Sequence, residues 1–212
     1  MTRTQAKISV IAPMYNEESV IARYIELTMV ILEKNFSNYE LILVDDGSRD
    51  KTLEISLSLA NRHNNMRIIS LTRNYGHEIA STAGLDASTG DYAILMDADL
   101  QHPPEIIPQL VEKAFEGYDV VTAQRTNRSS DSFLKRKMSQ LFYYIARKMT
   151  GFQLNSNNGN FRLISRKVID SLSHFKENNR HLLMLFAYVG FDSASISFHC
   201  PERFAGKSKY SY

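Results

Sequence analysis

Two carboxylates, Asp97 and Asp99, stand one residue apart directly after the apolar run 92–96, in the stretch MDADLQHPPE. On extended chain, side chains at i and i+2 point the same way, so both can converge on one hard cation, which takes oxygen ligands. A divalent ion there would relieve their repulsion and could hold a pyrophosphate. Gln101, again two residues on, offers a neutral oxygen to the ion or to a sugar. Pro103 and Pro104 then stop the strand and start a helix near its N1 position. Alone, D-x-D is more often a solvated acidic turn. Its company changes that reading. Polar clusters also follow the three earlier apolar runs, as APMYNEE, VDDGSRD and TRNYGHE. In an open α/β sheet, ligands bind beyond the carboxyl ends of the strands. The sequence has neither G-x-G-x-x-G nor a Walker Gly-Lys-Ser/Thr, which disfavours a dinucleotide oxidoreductase or a P-loop ATPase.

The elements that must hold these clusters alternate. Residues 7–12, 39–45, 66–71, 91–96 and 118–123 read as strands that are mostly apolar on both faces, the pattern of a parallel sheet covered by helices. Amphipathic stretches at 17–34, 51–62, 77–87 and 105–115 read as helices, with Asn16 as a candidate N-cap and Gly117 ending the fourth. This βαβα order predicts a doubly wound sheet with right-handed crossovers. From about residue 125 the pattern changes. Residues 133–149 read as one basic amphipathic helix, 151–160 as a polar loop, 179–191 as a further helix and 193–199 as a strand.

With 212 residues the chain is long enough for one α/β domain with a complete core. Its net charge of +2 gives no reason to expect nucleic acid as a partner. One cysteine, Cys200, excludes an internal disulfide, fits a reducing compartment, and reads as a packed small residue. The N-terminal stretch does not resemble a secretory signal. No run approaches the ~18 apolar residues of a membrane span, so the chain as it stands is expected to be soluble.

APMYNEE, VDDGSRDKT, TRNYGHE, TGDYAILMDADLQHPPE and FRLISRK together resemble the family-2 glycosyltransferases of GT-A fold, in order and spacing over nearly the whole chain. The closing ERFAGKSKY is similar to the R-x-x-G-x-S-K segment of the polyprenyl-phosphate glycosyltransferases, the subgroup of dolichyl-phosphate mannose synthase and the undecaprenyl-phosphate glucosyltransferases. The resemblance implies a single α/β domain with a Rossmann-like, mostly parallel sheet flanked by helices. Residues 1–124 would form its nucleotide-sugar half and 125–212 its acceptor half. The activity implied is inverting transfer of a hexose from a UDP-sugar, UDP-glucose favoured, to a polyprenyl phosphate, undecaprenyl phosphate favoured, with Mg²⁺ or Mn²⁺. Pro13, Tyr15, Glu17 and Asp46 would line the base and ribose, with Gly47 and Arg73 on the same nucleotide-sugar side. Asp97 would sit near the ribose and diphosphate, and Asp99, with Gln101, would hold the metal. Arg125, Arg136 and Arg203, with Ser208, would face the acceptor phosphate. Catalytic positions would be Asp97, Asp99, Arg125 and Asn160.

Two positions depart from the family. His77 stands where lysine is common, and a neutral imidazole would weaken a phosphate contact. Asn160 stands where relatives usually carry aspartate, and an amide cannot accept a proton at neutral pH. A phosphate acceptor is already anionic, since its second pKa is about 6, so it needs no base. A hydroxyl acceptor, as in a polysaccharide-forming relative, would need one. A silent nucleotide-sugar-binding module is the remaining alternative. The 133–149 segment carries Lys135, Arg136, Lys137, Arg147 and Lys148 with no acid among interleaved apolar residues, and such a helix can lie at a membrane surface. Relatives usually continue into transmembrane helices and often assemble as tetramers. The expectation is therefore a truncated catalytic domain that acts at the cytoplasmic face of the membrane, with a homo-oligomer left open.

Overall fold

A computed structural model describes residues 5–126, 160–175 and 182–200. The strands are β1 (Ile8–Met14), β2 (Tyr39–Asp45), β3 (Met66–Ser70), β4 (Tyr92–Leu95), β5 (Val120–Arg125), β6 (Arg162–Ser165) and β7 (Ser193–Phe198). The helices are α1 (Ile21–Asn35), α2 (Thr52–Ala60), α3 (His77–Ala87), α4 (Ile107–Ala114), α5 (Arg166–Ser173) and α6 (Leu182–Val189), with a 3-10 turn at Pro104–Ile106. The strands form a seven-stranded sheet in the order β3-β2-β1-β4-β6-β5-β7. β1 pairs in parallel with β2 and β4, and β5 with β7, whereas β6 runs antiparallel to both β4 and β5.

Alternation along the strands builds two apolar layers. Val10, Ala12, Leu41, Leu43 and Ile94 face α1 and α4, where Tyr24, Ile25, Leu110 and Val111 meet them. Ile11, Ile42, Val44, Ala93 and Leu95 face the opposite way, onto α3, α5 and α6. Burial on both sides explains why these strands read as continuous apolar runs. Gly84 lets α3 lie close to the sheet, because a Cβ there would come within 2.3 Å of Ile11 Cγ2.

The expected helices and strands differ from the observed ones chiefly at their ends. α3 begins and ends where the periodicity places it, but α1 starts at Ile21 rather than at residue 17. Asn16 is not its cap: it takes a left-handed φ of 52°, and its Oδ1 accepts the Arg49 N–H at 2.8 Å. β6 and α5 were not expected. Arg162 pairs with Leu95 and Ile164 with Ala93, so the FRLIS segment inserts beside β4 instead of a further parallel strand. The expected helix 133–149 and most of the loop 151–160 lie outside the described residues.

Candidate functional site

Parallel pairing puts the ends of β1, β2, β3 and β4 at one edge of the sheet, and hydrogen bonds lace the loops that follow. Ser48 Oγ accepts the Asn16 N–H at 3.0 Å and Thr52 Oγ1 accepts the Glu17 N–H at 2.7 Å. Asp46 is 4 % exposed and receives the N–H groups of Tyr75 (2.7 Å) and Gly76 (2.9 Å) on its two oxygens. Gly47 has φ +70°, and a Cβ there would stand 2.5 Å from the Arg73 carbonyl carbon. That close approach is open only to glycine. VDDG thus holds the loop after β3 against the loop after β2.

A cavity of about 280 Å³ opens between these loops, lined by Pro13, Tyr15, Glu17, Asp46, Asp97 and Asp99, together with Asn74, Gly76 and His77. Asn74 and Gly76 carried no chemical signal of their own in the sequence; they arrive because Asp46 fixes their loop. Gly47, Arg73 and Gln101 are not among the residues lining the cavity. Gly47 acts through packing, and the Arg73 guanidinium lies over the Tyr75 ring, 4.5 Å from its centroid. A small recess of about 10 Å³ adjoins the cavity, shares Pro13, His77 and Asp97 with it, and adds Asn160 and Arg162. Arg136, Arg203 and Ser208 lie outside the described residues.

Asp97 and Asp99 lie past the end of β4, in a turn where Leu100 takes a φ of 63°, not on extended chain. The two carboxylates share the cavity. His77 Nε2 and Asp97 Oδ1 are 2.8 Å apart, and His102 Nδ1 accepts the Asp97 N–H at 2.9 Å. Asp99 Oδ1 accepts the Gln101 N–H at 3.0 Å. Burial alone would raise the Asp97 pKa, but the neighbouring imidazoles of His102 and His77, and then Arg125, hold it well below the usual carboxylate range. Burial likewise pulls His77 down, and the hydrogen bond and charge of Asp97 outweigh it, so its pKa lies above the ordinary value. Asp97 thus favours the protonated form of His77, at the position where the family commonly has lysine. Buried His102 is pushed the other way, and its neutral form accepts the Asp97 N–H. Arg125, at the end of β5, places Nη2 3.2 Å from His102 Nε2.

The donor set fits a hard cation in part. Among the described residues no three His, Cys, Asp or Glu side chains are grouped to cage a metal. Asp99 offers carboxylate oxygen beside Asp97 in the cavity wall. One carboxylate completed by phosphate oxygens and water is how Mg²⁺ is commonly held, whereas a full protein cage is not required. Gln101 gives its N–H to Asp99, and its carbonyl receives the Cys200 thiol at 3.4 Å. No described helix is long and apolar enough to cross a membrane.

Residues 9–173 match the family described as Glycosyl transferase family 2. Over 202 residues the chain is 39 % identical to an uncharacterized glycosyltransferase, YkcC, of Bacillus subtilis (strain 168), covering 95 % of this chain and 62 % of that one. Over 204 residues it is 38 % identical to the bactoprenol glucosyl transferase of Shigella phage SfX, covering 96 % of this chain and 67 % of that one. The chain therefore spans about two thirds of the length of these relatives. Among solved structures, glucosyl-3-phosphoglycerate synthase from Mycobacterium tuberculosis, in complex with Mn²⁺, uridine-diphosphate-glucose and phosphoglyceric acid, superposes with a TM-score of 0.65. It is 19 % identical, and the match covers 97 % of this chain and 74 % of that one, a likeness of fold.

Proposed function

The chain belongs to glycosyl transferase family 2, and from that premise we propose that it transfers a hexose from a UDP-sugar to a polyprenyl phosphate with inversion. The observation that carries the proposal is the cavity in which Asp97, Asp99 and His77 face the loops after β1 and β2. The bactoprenol glucosyl transferase relative supports the lipid acceptor, and supports glucose as the sugar.

In this reading the nucleoside lies along Pro13, Tyr15 and Glu17, and Asp46 holds the 75–76 backbone that completes the wall. The diphosphate lies toward Asp99 and His77, the first residue of α3, where the positive end of the helix favours an anion. Mg²⁺ or Mn²⁺ held at Asp99 would neutralise the charge that develops on the leaving diphosphate. Arg125, with Arg136, Arg203 and Ser208, holds the acceptor phosphate opposite the leaving group. A phosphate oxygen bonds to C1 as the bond from C1 to the diphosphate oxygen breaks, and UDP leaves with the electron pair. No proton is lost in that step, so Asn160 is compatible with it. The acceptor would be met at the cytoplasmic face of a membrane, with the basic segment 133–149 at its surface.

Product formation from radiolabelled UDP-glucose, with Mn²⁺ and undecaprenyl phosphate in detergent micelles, tests the proposal. UDP-N-acetylglucosamine, UDP-galactose and GDP-mannose run in parallel, beside a lipid-free control. A labelled lipid from one donor establishes the reaction and names the sugar. Metal-dependent UDP binding without any labelled lipid would overturn the acceptor half.

A further inference from the structure

The recess of about 10 Å³ beside the cavity draws its walls from separate elements. α3 supplies His77 and Glu78, β6 supplies Arg162 with Asn160 just before it, and Leu182 and Phe186 of α6 close it. Arg162 is 3 % exposed, and its guanidinium carbon lies 4.6 Å from the centroid of the Phe186 ring. Glu78 Oε2 accepts the Leu182 N–H at 2.9 Å, which ties the start of α6 to the first turn of α3. β6 is bonded along β4, with Arg162 opposite Leu95. The walls are held from each side, so the recess has a definite size. It has room for about one water-sized group.

The chemistry of the walls selects as well. Arg162 and His77 stand against Glu78 and Asp97, so the recess favours a neutral group over an ion of either sign. A hydroxyl both donates and accepts, and guanidinium, amide and carboxylate offer it both kinds of partner. The recess meets the cavity at Pro13, His77 and Asp97. With the diphosphate at Asp99 and His77, the hexose starts beside that shared wall, and the hydroxyl on C2, next to the reacting carbon, is the first to reach the recess. We propose that the recess is a subsite for this one hydroxyl of the donor sugar, read by Asn160 and Arg162, and that it sets which sugars the site accepts. The inference rests on the donor reading given above and deepens it. An oxygen enters; an acetamido group on C2 puts a chain of heavy atoms in its place and does not fit. Hexoses with a hydroxyl on C2 are therefore donors, and their 2-acetamido counterparts are not. Asn160 takes a donor-side task in which an amide serves as hydrogen-bond donor and acceptor and no base is asked for.

Calorimetry on the whole chain with Mn²⁺ and no acceptor tests this with UDP, UDP-glucose, UDP-2-deoxyglucose and UDP-N-acetylglucosamine. The parent should bind UDP-glucose about tenfold more tightly than the 2-deoxy analogue, which lacks the hydrogen bonds at stake. It should bind UDP-N-acetylglucosamine at least about tenfold more weakly than UDP-glucose, as an overfilled site does. Asn160→Ala removes one reading group and widens the recess. Both preferences should then shrink to about threefold or less, with UDP affinity within about twofold of the parent. Arg162→Lys should shrink the preference over the 2-deoxy analogue in the same way; Asn160→Ala, at a less buried position, decides if the lysine variant fails to fold. Equal affinity of the parent for UDP-glucose and either analogue would overturn the proposal, as would preferences that survive Asn160→Ala unchanged or a fall in UDP affinity as large as that for UDP-glucose. Lipid labelling from UDP-glucose by a parent that shows no such preferences would sink the recess alone and leave the transferase reading intact. The expected preferences without any labelled lipid would uphold the recess and defeat the acceptor half of that reading. A parent that binds no UDP-sugar would defeat both.

Discussion

Asp97 and Asp99 carry the same charge in the same turn, yet their surroundings divide the work between them. Asp97 is held by imidazoles; Asp99 lines the cavity and accepts the Gln101 N–H. The His77–Asp97 contact makes a pH-dependent contribution whose sign follows from both partners. His77 has its folded pKa above the ordinary 6.5, so its contribution is complete below that value and is lost as pH rises through the raised pKa. Asp97 has its folded pKa below the ordinary 3.8, so its contribution is complete above 3.8 and is lost as pH falls through the lowered pKa. The pair is therefore fully formed between those ordinary values. In urea unfolding followed by circular dichroism, His77→Gln should lose most stability relative to the parent at about pH 5, and the gap should narrow toward about pH 9. A gap that does not change with pH would show that the pair contributes nothing through charge. Asn160 yields a prediction about rate. It lines the recess beside Asp97 but cannot serve as a base, and a phosphate acceptor asks for none. Asn160→Asp should raise kcat less than about tenfold, whereas supplying a missing base would raise it ~10²–10⁴-fold. Steady-state turnover with saturating donor separates the two.

The loops after β1, β2 and β3 act as one unit because backbone groups of each are bonded by side chains of another. Gly47 is the tightest point of that unit, and its φ of +70° leaves no room for a side chain against Arg73. Gly47→Ala should destabilise the fold by about 1–3 kcal/mol and displace Asn74 and Gly76 from the cavity wall. Thermal melting and UDP affinity should fall together; a melting temperature that drops with UDP affinity intact would show that the loop after β3 does not shape the site. Much of this framework was legible beforehand. Strands buried on both faces announce a parallel sheet, and the bounds of α3 follow from its periodicity. Type and spacing pointed to Asp97 and Asp99, the family resemblance implied Pro13, Tyr15, Glu17 and Asp46, and all six line the cavity. β6 escaped because FRLIS is short and a strand's direction leaves no mark on its composition. Asn16 looked like a cap because its side chain is the right kind, and only the neighbouring loop decides which N–H it meets. The contacts of His77 and His102 escaped for the same reason. They depend on a turn with Leu100 at φ 63°, and no local pattern encodes it.

The whole chain carries a net charge of only +2, but that balance is unevenly spread. Residues 133–149 hold Lys135, Arg136, Lys137, Arg147 and Lys148 with no acidic residue among them. This segment lies outside the described residues, so its charge and its apolar positions are read from the sequence alone. A lipid-linked acceptor reaches an enzyme from the plane of a membrane, and a local cationic stretch would keep the cavity near that plane without any change in donor affinity. Each cation near anionic lipid contributes roughly 1 kcal/mol, so replacing three of them should lower partitioning roughly 100-fold. Lys135, Lys137 and Lys148 are the residues to replace with glutamine, since Arg136 is proposed to face the acceptor phosphate. Co-sedimentation with vesicles containing anionic lipid should show the parent bound at low ionic strength, and the triple variant largely free. Raising salt to about 0.5 M should release the parent as well, because exposed charges are screened over a few ångströms there. UDP affinity in the absence of vesicles should match in both proteins. Equal sedimentation of parent and variant would place the membrane contact elsewhere on the molecule, and a parallel loss of UDP affinity would mean that these lysines support the domain itself.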